Sequence, residues 1–339
     1  MTTLAQAEAK PKAEADRATD FAVLSQRIRA AGLLDRRPAY YALRLTLVLA
    51  MYVGGWAGLV LTHSLWFGVL LAVASAQVAL VAHDLAHKQV FRGRRWSEVL
   101  GLLAGNVMIG MSYGAWMDKH TRHHANPNHE DRDPDVAPDV IVWSTRQAEQ
   151  ARGPAKFIGG HQALLFFPLL LLEGFNLHVS SLRRVGTVKR RRLESFLLYG
   201  HIAVYLAAAF LILSPGTAIA FILVHQCLFG LYLGLTFAPN HKGMPMPTAE
   251  DELDFLRKQV LTSRNVRGGR WVDVLLGGLN YQIEHHLFPS MPTPNLRKAQ
   301  PIVERYCAEI GVPYHSATFV GSYVQALRHL HEAGAPLRR

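Results

Sequence analysis

Cysteine is nearly absent. Cys227 and Cys307 stand far apart, supporting neither a disulfide framework nor a thiolate metal site. Charge is also scarce, at 18% of 339 residues, against roughly 25% in an average soluble domain, and the deficit points to a membrane protein. No two glycines flank a single residue, so no G-x-G-x-x-G loop exists and a bound nucleotide is unsupported. His-Glu-x-x-His is missing, which removes the zincin class. Glu-x-x-His is missing too, which removes the carboxylate-bridged di-iron bundle. Residues 1–20 hold no apolar run and so form no signal peptide.

The charge present is mostly positive, with a formal net of +11. It gathers at Arg92-Gly93-Arg94-Arg95 and between Arg183-Arg184 and Lys189-Arg190-Arg191-Arg192. These runs flank apolar segments, so they read as cytoplasmic loops of a membrane protein rather than as a nucleic-acid surface. Anionic lipid headgroups or an acidic electron donor are secondary partners for them.

A spanning helix needs about 20 mostly apolar residues. Residues 42–62 and 65–82 qualify and form one hairpin; 195–213 and 217–238 form another, turning at Ser214-Pro215-Gly216. Two further apolar stretches, 98–117 and 162–180, carry many glycines or polar residues such as Glu173, Asn176 and His178. A lone crossing by 162–180 would put the basic run 183–192 on the opposite face, so both stretches are expected as buried or interfacial helices. The expectation is an all-α integral membrane protein with four transmembrane helices, interfacial helices and a cytoplasmic helical cap. Both termini and the site would be cytoplasmic. Residues 1–35 are expected as a disordered charged tail, 36–310 as the catalytic domain and 311–339 as a C-terminal tail.

Three histidine clusters stand out: His83 with His87, His120 with His123 and His124, and Gln282 with His285 and His286. Residues at i and i+4 share a helix face, while an adjacent residue is rotated by about 100°. One segment can therefore feed two ions. His241, in Asn240-His241-Lys242-Gly243 at the end of the last span, joins the set. Imidazole suits iron, copper, zinc and nickel, so a nitrogen-rich site is implied before any one metal. Asp84, Asp133, Asp135, Glu284 and Asn240 are expected to orient the imidazoles from behind. The alternative for each histidine is an interfacial or core residue with ordinary hydrogen bonds. His63, His161, His178, His201 and His225 stand alone and read mostly as structural, His178 being the exception to consider because Glu173 and Asn176 are near it.

The order His-x3-His, His-x2-His-His and Gln-x2-His-His between two apolar hairpins resembles the membrane fatty acid desaturases. Asn126, Asp133-Pro134-Asp135 and Asn280 through Pro289 strengthen the match, which covers roughly residues 40–310. Glutamine opening the third box is similar to the front-end branch, which includes linoleoyl-CoA (Δ6-type) desaturases; stearoyl-type enzymes place histidine there. The resemblance implies two iron ions held by His83, His87, His120, His123, His124, His285 and His286, with His241 adding a nitrogen. Gln282 stands where other branches have a ligand.

The resemblance further implies O2 as co-substrate and removal of two vicinal hydrogens from an acyl chain carried on CoA or a lipid. Many front-end members carry a fused cytochrome b5 with a His-Pro-Gly-Gly motif, which this sequence lacks. An external ferredoxin or cytochrome b5 with its reductase is thus expected as electron donor. Gly110, Met111, Tyr113 and Trp116 are either the wall of an acyl tunnel or ordinary helix packing. Two other readings stay open: a di-iron hydroxylase of a lipid or hydrocarbon, and a metal transporter.

Overall fold

The computed structural model describes residues 14–338. In chain order the first helices are α1 (Glu14–Ala30), α2 (Pro38–Thr62), α3 (Trp66–Ala86), α4 (Arg94–Leu102), α5 (Tyr113–Ala125) and α6 (Thr145–Gln150). Next come α7 (Pro154–Leu170), α8 (Glu173–Arg184), α9 (Arg191–Ile212), α10 (Pro215–His241) and α11 (Phe255–Leu261). The chain then runs through β1 (Asn265–Arg267), α12 (Arg270–Leu275), α13 (Gln282–Leu287), α14 (Thr293–Glu309), β2 (Ser316–Thr318) and α15 (Phe319–Ala333). Where one domain over 36–310 is expected, the described chain falls into two compact units, 36–118 with 167–235, and 14–35 with 119–166 and 236–338.

In the first unit, four helices are long and apolar enough to cross a membrane: α2, α3, α9 and α10. They match the four expected spans to within a turn. Pro38 opens α2 at a position where no amide hydrogen is required. Pro215 likewise starts α10, rather than occupying the turn before it. The α2–α3 hairpin closes tightly because Gly58 lies under the Phe67 ring, where a Cβ would come within 2.1 Å of a ring carbon. Of the most apolar window of α3, 67% is buried, against 17% for α2 and α9, so α3 is the central helix of this unit.

The two ambiguous stretches are both broken. The helix from Arg94 to Met108 meets α5 at 113°, and α7 meets the segment Glu173–Thr187 at 88°. Their combined apolarity therefore does not form a straight span. At the first break, Leu103–Met108 winds as a π-helix and Gly110 adopts a φ of +63°, a conformation that costs glycine little. The turn is held by polar groups buried inside the unit. Asn106 Oδ1 accepts from the Tyr113 amide at 3.1 Å. The Glu194 carboxylate of α9 accepts from Ser112 Oγ at 2.8 Å and from the Gly114 amide at 3.0 Å. A carboxylate at the start of α5 satisfies amides that helix geometry leaves without carbonyl partners.

The isolated histidines also find structural partners here. His225 bonds Ser75 Oγ and Tyr205 OH, His178 bonds Gly110 O and Gln226 Oε1, and His201 bonds Val107 O. Met111 and Tyr113 belong to the apolar core, and Tyr113 stacks on Trp116 with ring centroids 6.4 Å apart.

The second unit corrects both expected tails. Residues 14–30 form α1, and Leu24 and Ile28 are fully buried in a core with Leu256, Ile283, Leu287 and Val303. The alanine- and charge-rich composition masked this short apolar stripe at i and i+4. Residues 1–13 lie outside the described residues. Residues 311–338 contain β2 and α15, with Ala326 and Leu330 fully buried, so they are part of the fold and not a tail. The all-α expectation holds except for one short parallel pair, β1 with β2, registered Asn265 to Ser316.

Replacing Glu194 by Ala strands buried donors at the α5 bend and is expected to lower stability by about 2 kcal/mol or more. Glu194→Gln keeps an acceptor and should lose less. Thermal unfolding of the detergent-solubilised protein measures both.

Candidate metal centre

Helix α5 carries the second box, and its helical rotation separates the three rings as the spacing predicts. His120 and His124, four apart, face one way; their Nε2 atoms are 3.1 Å apart. His285 Nε2 from α13 lies 3.2 Å from His124 Nε2, completing one set of three. His123 points elsewhere and joins His241, at the end of α10, and His286, next to His285 on α13. The nitrogens of this second set all lie within 4.8 Å of one another and all three residues are buried. The two sets adjoin where the His124 and His286 rings stack at 4.2 Å.

The hydrogen bonds on the far side of the second set determine which nitrogen of each ring is free. His123 Nδ1 is 2.9 Å from the Asp133 carboxylate. His241 Nδ1 is 2.9 Å from the Thr262 carbonyl oxygen. His286 Nδ1 is 2.9 Å from Gln259 Oε1. Each of those partners accepts, so each Nδ1 carries the proton and each Nε2 presents a lone pair. The His241 and His286 Nε2 atoms then face one another at 3.1 Å with no proton between them. The Gln282 side-chain N–H approaches this point, 2.9 Å from His241 Nε2, and a cation among the ring nitrogens would engage all three imidazoles. Burial, reinforced by the neighbouring histidines, also holds His286 well below its ordinary pKa, in the neutral form that binds metals. The donor set fits a transition-metal ion bound through imidazole.

Asp133 lies behind His123 and is hydrogen-bonded on several sides. Besides His123 it accepts from the amides of Asn128 at 2.7 Å and Asp135 at 2.9 Å. Burial works to raise its pKa, but the hydrogen bond and charge of His123 outweigh this and hold it below the usual value. Asp135 pairs with Lys119 at 2.8 Å and stands 3.5 Å from His123 Nδ1, outside good hydrogen-bond geometry. Asn240 donates to Gln282 Oε1 at 3.1 Å, and Gln282 Nε2 is 2.9 Å from His241 Nε2. The amide of the third box thus lies against the second set.

Glu284 and Asp84 have partners other than the ones expected. Glu284 faces away from the histidines and accepts from Asn265 Nδ2 and Tyr314 OH, both at 2.7 Å. Complete burial pushes its carboxyl up to about 7, against the pull of those two bonds. On a helix of six residues, its neighbours' rings occupy the opposite side, so it anchors α13 to β1 and to the segment before β2. In the other unit, His83 and His87 offer nitrogens within 4.8 Å of each other. Asp84, beside them, accepts from Arg44 Nη1 at 2.7 Å, while His83 Nδ1 is 3.7 Å away. Arg44 is the one charged residue inside the first expected span, a signal that a buried partner was needed.

Sequence reading missed α11, which supplies Gln259 and leads into Thr262. Neither belongs to a histidine box, and a lone glutamine in a polar stretch carries no distinguishing pattern.

A family model described as fatty acid desaturase matches residues 61–318. The acyl-lipid (9-3)-desaturase of Physcomitrium patens is 32% identical over 281 residues, 78% of this chain and 53% of that protein. Fatty acid desaturase 3 of Bos taurus is 30% identical over 328 residues, 93% of this chain and 73% of that protein. The Delta(5) fatty acid desaturase fat-4 of Caenorhabditis elegans is 30% identical over 321 residues, 87% of this chain and 69% of that protein. The chain therefore spans about half the length of the Physcomitrium protein.

Asp133→Ala frees His123 to rotate and is expected to weaken metal binding about 10- to 100-fold, checked by competition with a chelator of known affinity. Gln282→His should be tolerated better than Gln282→Ala, since imidazole can reach the same space beside His241. Activity and metal content of the two variants, compared side by side, test this ordering.

Proposed function

Because the chain belongs to the fatty acid desaturase family, a membrane-bound family of oxidoreductases, we propose that it inserts a cis double bond into a fatty acyl chain. The observation that carries the reading is the pair of imidazole sets from α5, α10 and α13, with the nitrogens of His123, His241 and His286 within 4.8 Å of one another. Two iron ions are the metals proposed. His120, His124 and His285 are proposed as one set of ligands, and His83 and His87 of the first box as further iron ligands. The other is His123, His241 and His286, with Gln282 alongside.

Bound iron would supply the oxidising power that an unactivated C–H bond requires, using O2. The balance is one O2, two hydrogens from the acyl chain and two electrons and two protons from a donor, giving two waters and the alkene. The chain's own residues do the rest. Asp133, Thr262 and Gln259 hold the ring protons on the outer nitrogens, so the inner ones stay available. The burial of His123, His241 and His286 keeps water from the second set. Met111, Tyr113 and Trp116 are proposed as part of the wall that fixes acyl-chain depth.

Glutamine at the start of the third box and the Delta(5) name of one relative support a double bond near the carboxyl end. The substrate is proposed as an acyl-CoA or an acyl-lipid. Electrons would come from a separate ferredoxin or cytochrome b5 with its reductase. Four crossings by α2, α3, α9 and α10 would place both chain ends, the histidines and the basic runs on the cytoplasmic face.

The test is fatty acid methyl ester profiling, with double-bond localisation, in a desaturase-deficient host that also expresses a ferredoxin and its reductase. A new unsaturated product is expected, and it should disappear in His123→Ala and His286→Ala while membrane insertion persists. A hydroxylated lipid with no new double bond would replace desaturation by hydroxylation.

A further inference from the structure

We propose that Gln259 is a positioning residue of the metal centre, one that uses the backbone of the second histidine box to set the ring tautomer of the third. The inference rests on the metal-centre reading given above. Gln259 lies on α11, between the boxes in sequence, and is fully buried. Its side-chain amide makes two bonds inside the second unit. Nε2 donates to the His124 carbonyl oxygen at 3.0 Å, and Oε1 meets His286 Nδ1 at 2.9 Å.

The direction of these bonds is not free. A carbonyl oxygen has no proton to give, so the His124 end must receive the amide NH2. That leaves the amide oxygen, an acceptor only, against His286. His286 must then carry its proton on Nδ1, and its Nε2 lone pair is turned toward His241 Nε2, 3.1 Å away. A flipped amide would set its oxygen against the His124 carbonyl oxygen, losing that bond in a dry interior. The His124 carbonyl thereby decides the protonation pattern of a ring that His124 itself stacks upon at 4.2 Å. Gln259 so ties the backbone that carries one imidazole set to a ring of the other.

The three outer partners in the second set also differ in kind. His123 has a carboxylate, His241 a backbone carbonyl and His286 a side-chain amide. A carboxylate raises the basicity of an imidazole more than a neutral oxygen does. Gln259 thus leaves His286 a weaker donor than His123, and the ion they share sits in an electronically uneven field. The uneven pattern is a property of residue 259 that a single substitution can reverse.

Two variants separate the bonds. Gln259→Met keeps the volume and removes both; Gln259→Glu keeps an acceptor for His286, makes it anionic, and gives up the donor to His124. The full-length protein in detergent is stripped with a chelator and titrated with cobalt(II). Visible absorption follows binding, metal analysis gives ions per chain, and thermal unfolding of the stripped protein reports the scaffold.

Wild type is expected to take up two ions. Gln259→Met should bind one of them about 10- to 100-fold more weakly with the other unaffected, and Gln259→Glu should restore binding with displaced cobalt bands. Gln259→Met with wild-type affinity for both ions would overturn the proposal, as would Gln259→Glu as weak as Gln259→Met. Should Gln259→Met not fold, Gln259→Glu decides alone, and cobalt bands identical to wild type would overturn it. A wild-type protein that binds no metal would instead remove the metal-centre reading on which the proposal stands.

Discussion

A buried imidazole loses the solvation of both ring nitrogens, and it can offer one to a metal only while the other is tied to an acceptor. That constraint organises the surroundings of His123, His241 and His286. Asp133 comes from the loop after α5, the Thr262 carbonyl from the end of α11, and Gln259 from the middle of α11. Their targets come from α5, α10 and α13. Each acceptor therefore belongs to a different stretch of chain from the ring it serves, except Asp133, ten residues from His123. The scaffold around the centre is a device for keeping those acceptors in place, and the anchoring of Glu284 by Asn265 and Tyr314 holds the short helix α13 in the same register.

The first unit meets a related demand with different means. Its long helices are apolar, yet Arg44 with Asp84, Glu194 with Ser112, and His225 with Ser75 and Tyr205 are enclosed among them. In an apolar surrounding an unsatisfied polar group costs several kcal/mol, on the order of the whole stability of a domain. Each of these groups is accordingly paired. Two of them do local shaping: Glu194 fixes the sharp entry to α5, and Arg44 holds α2 to α3 at the residue after His83. The helix that presents the second box thus begins at a bend fixed by a carboxylate from α9.

Much of this was legible in advance. Long apolar runs have few alternatives to helix, so the four candidate spans were found to within a turn. The split of His120 and His124 from His123, and of His285 from His286, follows from 100° of rotation per residue, and the structure shows that split. Residues 14–30 were misread because a stripe as short as Leu24 and Ile28 does not rise above a charged, alanine-rich background. Glu284 was misread because position beside a histidine says nothing about which side of a six-residue helix faces the centre.

What the chain order alone determined is the imidazole-rich make-up of the boxes, the helical phase of each and the apolarity of the four long helices, because all three depend on residues near one another along the chain. What only the tertiary structure decided is which nitrogen of each imidazole is left open. That depends on an amide, a carbonyl and a carboxylate brought up from elsewhere in the chain, and Gln259, Thr262 and Asp133 acquire their roles only once folding places them 2.9 Å from the rings. Hydrogen bonds of that kind are set by distance in space, and local spacing has no means of recording them.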